Sequence, residues 1–161
     1  MNNNYGYAGW GVLIGAIVLV YVTVVFVIVV AVYVLNGFAF MRLFRKVGIE
    51  PWAAWVPIFI NWRILELGGQ QGWLSLLALV SPGAIVTAVF EAVGAYRTGL
   101  AFRKPGGFVV LFIFFPFVWA FILGADNEVY DPDLIRQAGY GPPLAGYGSL
   151  AYDVAHQQPS T

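Results

Sequence analysis

Four polar side chains stand in otherwise apolar stretches where they could do chemistry: Asn61, Arg63, Glu66 and Glu91. Arg63 and Glu66 are three residues apart and so share one face of a helix. Charge inside a bilayer is costly, and such residues often mark a substrate or ion site. The same spacing also suits a local ion pair at the membrane boundary, with the Arg63 stem reaching for water. The local pair is the plainer reading. Glu91, in VTAVFEAVGAYR, could carry a proton, or it could pair with Arg97, Arg42 or Arg45. The pair is again the plainer reading. Asn61, like Asn36, has the character of an interhelical or capping hydrogen-bond residue.

No catalytic, cofactor-binding or metal-binding residue is expected. There is no Cys, which excludes disulfides and thiolate sites, and the single His, His156, lies in a polar stretch near the end. Phosphate-loop, dinucleotide and H-E-x-x-H patterns are missing. Lys46 and Lys104 fall in loops, away from Ser75 and Ser81 in an apolar stretch and from Ser149 and Ser160 in the tail, so no Ser–Lys dyad is suggested. The chain is read as a non-enzyme without cofactors.

Composition says where these residues must work. The 161 residues are 60% hydrophobic and only 10% charged, with a mean hydropathy of +0.78. Soluble domains are about 25% charged. Eight basic and eight acidic residues cancel, so nothing points to a nucleic-acid surface.

Residues 10–35 hold no charge and no Pro. As a helix they reach about 39 Å, against a hydrocarbon core of about 30 Å. Their Val-rich alternation has strand propensity, but in lipid the need to satisfy every backbone group internally favours helix. Residues 1–9 carry no basic side chain and the apolar run is too long for a cleaved signal peptide, so 1–9 are expected outside the cytoplasm and 10–35 as an anchor. Gly11 and Gly15 form a G-x-x-x-G pair that could pack against another helix.

Three further apolar stretches follow. Residues 52–67 are short and interrupted by Pro57; they either cross as a broken helix or dip in and lie along the interface. Residues 73–95 contain Ser81-Pro82-Gly83, a predicted kink, and residues 108–123 contain Pro116. Residues 125–161 are rich in Gly, Pro, Tyr and acidic side chains and predict a disordered tail. Arg42, Arg45 and Lys46 follow the first stretch, and Arg97, Arg103 and Lys104 follow the third. If all four stretches cross, both basic loops face the cytoplasm, as the positive-inside rule requires, and the tail lies outside. The predicted fold is therefore an all-α integral membrane protein with four transmembrane helices over residues 10–124, the second short or broken, and a disordered tail over 125–161.

Several short motifs carry a resemblance. They are Lys46-Val47-Gly48 with Trp52, Pro57-Ile58-Phe59 with Asn61, and Gly72-Trp73 followed by Pro82. Further on come Phe102-Arg103-Lys104 with Gly107-Phe108, then Phe115-Pro116-Phe117, Ile122-Leu123-Gly124 and Tyr130. From about residue 40 to 130 the chain resembles an uncharacterised bacterial four-helix membrane family. Its members are often labelled only as a domain of unknown function, large exoprotein or signal peptidase I. It departs at Ile60, where the family tends to keep a Tyr-Asn pair, and at Ser81-Pro82-Gly83-Ala84, where Pro-x-x-Asn is common. The resemblance is to the membrane part that precedes a peptidase's catalytic domain, so it implies no peptidase activity. It implies a multi-pass protein of the bacterial plasma membrane. The expected function is an accessory or scaffold subunit, and the alternative is a small oligomeric transporter or channel subunit using Arg63, Glu66 and Glu91. Expected partners are the lipid bilayer and a second copy or another membrane protein, with no nucleic acid.

Overall fold

A computed structural model of the chain describes residues 4–80 and 83–147. Among these residues there are six α-helices, three 3-10 helices and no strand. The α-helices are α1 (Asn4–Val47), α2 (Pro57–Leu67), α3 (Gly83–Ala101), α4 (Val109–Phe114), α5 (Pro116–Leu123) and α6 (Asp133–Gln137). The chain divides into two units, Met1–Leu35 and Asn36–Thr161.

The first unit is the N-terminal part of α1. The helix expected at 10–35 is present, and within the described residues α1 is the one helix long and apolar enough to cross a membrane. From Trp10 to Tyr33 every side chain is exposed. A Cβ placed on Gly11 or Gly15 meets nothing within 4 Å, so the G-x-x-x-G pair packs against none of the described residues. Thr23 returns its hydroxyl to the Leu19 carbonyl at 2.8 Å, the usual way to satisfy a hydroxyl in an apolar helix.

The second unit begins where the apolar run changes pattern. After Asn36 the buried positions are Ala39, Phe40, Leu43, Phe44 and Val47, a helical stripe, while Arg42 and Arg45 face outward. Gly48, at φ 82°, then closes α1. Its N–H bonds to Arg45 and that of Ile49 to Phe44, the paired hydrogen bonds of a Schellman end. Gly69 ends α2 in the same way, with bonds from Gly69 to Glu66 and Gln70 to Leu65.

The expected spans at 52–67, 73–95 and 108–123 are not continuous helices. Pro51, Pro57 and Pro116 each stand in the first turn of a new helix rather than kinking an existing one. Pro disfavours the α region in the residue before it, so Val56 and Phe115 are extended or irregular. The first stretch becomes a 3-10 helix, Pro51–Trp55, that brings the Trp55 ring against Gly37, followed by α2. At 11 residues α2 is about 16 Å long, half a hydrocarbon core.

The second stretch splits into a 3-10 helix, Gly72–Leu79, and α3. These fold back on each other, with the Thr87 hydroxyl donating to the Leu74 carbonyl at 3.2 Å. Of the expected kink, Ser81 and Pro82 lie outside the described residues. The third stretch doubles back between α4 and α5, so that Phe108 and Trp119 sit ring to ring at 6.4 Å. A straight helix would separate these two by about 16 Å. Trp119 is fully buried at the centre, also touching Phe40 at 6.5 Å and Phe112 at 5.1 Å.

Several contacts join the segments between these elements. Arg97 donates to the Gly68 carbonyl at 3.0 Å, and Glu50 reaches Arg63 at 3.4 Å. Gly146 lies against Leu67, Val47 and Ile49, and Gly124 against Arg42 and Leu43.

The tail expected to be disordered is packed over residues 125–147. Lys46 donates to the carbonyls of Ala125 and, at 3.0 Å, Glu128, while Lys104 pairs with the Glu128 carboxylate at 2.6 Å. The Tyr130 ring lies on Phe102 at 5.2 Å and its hydroxyl donates to Gly146 at 2.6 Å. Burial, and then the nearby Tyr147, hold the Tyr130 phenol well above its ordinary pKa. Ile135 of α6 is 0% exposed, and the Leu144 N–H bonds to Glu66 at 2.8 Å. This segment is too poor in aliphatic side chains for a core of its own, but it completes the core of the hairpins with a few anchors. Residues 148–161, the rest of the expected tail, lie outside the described residues.

Candidate functional site

The polar residues singled out by sequence separate into two places. Arg63 and Glu66, both on α2, are a local pair, with Nη1 2.6 Å from Oε2. The second Glu66 oxygen accepts from Trp62 Nε1 at 2.7 Å, so the carboxylate is satisfied on both sides. Arg63 also reaches Glu50. The ion-pair reading of these two residues is the one the geometry supports, although Arg63 Nε is buried without a partner.

Glu91 behaves differently. Among the described residues no ion pair includes it, and its Oε1 is buried without a hydrogen-bond partner. Each cation expected beside it is elsewhere. Arg97 donates to Gly68 and lies 4.5 Å above the centre of the Tyr140 ring. Arg42 and Arg45 line a separate opening of about 430 Å³ with Lys46, Gly124 and Asp126.

Glu91 instead lines a pocket of about 280 Å³ that α1, α2, α3, α4 and α5 form together. Asn61 lines the same pocket, at the second turn of α2, and so does Asn36 of α1. Phe40, Phe112 and Pro116 are among the residues that close it. The α4–α5 reversal at Phe115-Pro116 is what brings Pro116 to the level of Asn36. Neither asparagine side chain hydrogen-bonds to another described residue, so both amides are free to face the cavity.

Of the four residues expected at a polar site, then, Asn61 and Glu91 come together and Arg63 and Glu66 do not join them. The sequence reading missed Asn36 as a member. Its signal was available, since Asn36 is the first strongly polar side chain after 26 apolar or weakly polar positions. Within the described residues no three His, Cys, Asp or Glu side chains group as a metal site.

Residues 52–132, just over half the chain, match DUF5684, a family of unknown function. The match overlaps the stretch whose Trp, Pro and Gly motifs carry the resemblance. No curated protein and no solved structure matches the chain. The matched segment holds α2, the whole of α3, the α4–α5 reversal and the first anchors of the tail, and on that extent the chain belongs to DUF5684, a family of unknown function.

Proposed function

We propose that the protein is a non-enzymatic accessory or scaffold subunit of the bacterial plasma membrane. In this reading residues 10–35 cross the bilayer once, and the unit from Asn36 onward sits in the interface, hairpin tips toward the lipid. The observation that carries it is the separation of apolar and charged groups along the second unit. The hairpin tips expose large apolar side chains: Leu79 at 68%, Ile85 at 73%, Phe114 at 70%, with Val56 and Phe115 beside them. Arg45 and Arg97 stand near the C-terminal ends of α1 and α3, and the connections hold Arg103, Lys104 and Glu128. Leaving a large apolar side chain in water forgoes about 1.5–3 kcal/mol, and lipid removes that cost. The basic connections make their end cytoplasmic.

Single cysteines test this at four exposed positions: Arg45, Gln71, Gly107 and Gln137. All four are expected to react with a membrane-impermeant maleimide in inside-out vesicles and to be protected in intact cells. Labelling of Gln71→Cys from the face opposite to Arg45→Cys and Gly107→Cys would restore four crossings.

The transporter reading keeps one supporting observation, the pocket at Glu91. Arg63 and Glu66, which were to share that role, neutralise each other, so the reading is narrowed to Asn36, Asn61 and Glu91.

A further inference from the structure

The pocket beside Glu91 holds more acceptor capacity than the protein uses. Glu91, Asn36 and Asn61 line the same 280 Å³ space; Glu91 Oε1, closed to solvent, has no hydrogen-bond partner, and neither amide has one among the described residues. A buried acceptor left without a donor costs free energy, most of all when it is a carboxylate. Each amide can turn its oxygen toward the cavity. The three acceptors come from three different helices, α1, α2 and α3, and so converge on one space rather than lining one helix face. The remaining wall is apolar, from Phe40, Phe112 and Pro116. Small-molecule sites run from about 300 to 1,000 Å³, so this one, at the low end, suits a head group with a short body.

We propose that this pocket binds a small organic cation bearing a primary ammonium group, whose three N–H donors meet Glu91, Asn36 and Asn61 while a short aliphatic or aromatic body packs on the apolar wall. An ammonium carries three donors and no acceptor, the complement of this set. Its charge offsets the Glu91 carboxylate in a place where no protein cation does. A quaternary ammonium supplies the charge but no donor, and an alcohol supplies a donor but no charge. Both should bind more weakly.

The test is calorimetric titration of the full chain, in nanodiscs of zwitterionic lipid, with phenethylammonium, its N,N,N-trimethyl derivative and 2-phenylethanol. Phenethylammonium is expected to bind at least tenfold tighter than either of the others. Glu91→Gln, which keeps the shape and removes the charge, should weaken it at least tenfold. Asn61→Leu should weaken it several-fold and keeps the proposal testable should Glu91→Gln not fold. Asp133→Asn, an exposed charge on α6 away from the pocket, should leave binding unchanged. No binding by the wild-type chain at millimolar probe, equal binding of 2-phenylethanol, or wild-type affinity in a folded Glu91→Gln or Asn61→Leu would overturn the proposal.

Discussion

At Gly68 and Gly94 the backbones of α2 and α3 touch. A Cβ on Gly68 would lie 2.5 Å from the Gly94 Cα, and one on Gly94 would lie 2.9 Å from the Ile64 carbonyl oxygen. Both obstacles are backbone, which cannot swing away as a side chain can. This contact also sets the Arg97 guanidinium on the Gly68 carbonyl, and it holds α3 where Glu91 faces the pocket. Gly94→Leu should therefore destabilise the folded chain by about 1–3 kcal/mol, the usual range for overpacking, and widen the pocket. Gly15→Leu, where nothing lies within 4 Å, should leave the melting temperature in detergent unchanged. Thermal unfolding of the two variants side by side checks both. Equal melting temperatures for Gly94→Leu and wild type would mean that the two helices can separate freely.

Most elements of the second unit are too short to stand alone, and residues 125–147 show what that means for stability. They bring Tyr130 to Phe102, Leu144 to Glu66 of α2 and Gly146 to Val47 at the end of α1, and they bury Ile135. Cutting the chain after Pro132 removes α6, the Gly146 acceptor of Tyr130 and the Leu144 bond to Glu66. Such a truncation should melt well below the full chain. Unchanged melting would show that the segment only rests on the hairpins.

Tyr130 adds a pH signature. Its folded-state phenol titrates above the ordinary value near 10, so the folded state keeps a proton that the unfolded state releases. The contribution is complete below about pH 10 and is lost as the pH rises further. Unfolding midpoints in the full chain should fall between pH 9 and pH 11. Tyr130→Phe should flatten that fall, at a cost of about 0.5–1.5 kcal/mol for the lost bond to Gly146.

On the scale of the whole molecule the two units divide the work. Residues 10–35 carry the apolar length, and the Asn36–Thr161 unit carries the charges, the packing and the pocket. Fused separately to a reporter of membrane insertion, residues 10–35 should insert efficiently. Residues 52–67 should not, because they yield an 11-residue helix carrying Arg63 and Glu66. In the intact chain those two charges are held by each other, Trp62 and Glu50. Efficient insertion of 52–67 alone would return that segment to the status of a span.

The long N-terminal helix, the helical class and the break within 52–67 could be read from the sequence, because each depends on composition and local backbone rules. An uncharged run of 26 residues admits few structures, and Pro57 and Pro116 mark helix boundaries wherever they stand. The stripe from Ala39 to Val47 was equally open to reading. What those prolines do was not. A proline tells that a helix is interrupted, but whether the chain bends a little and continues or turns back depends on what waits beside it. Here Trp119 turns back onto Phe40, Phe108 and Phe112. Residues 125–147 were misjudged for a related reason, since their apolar content is low when counted alone and sufficient once the hairpins provide the other half of each contact. Glu91 and Asn61 were visible as unusual, yet their meeting with Asn36 needs three helices at one level, set by the Gly68–Gly94 contact and the reversal at Pro116. Local rules act within a few residues of the chain, whereas this pocket joins positions up to 80 residues apart, and only tertiary packing chooses among them.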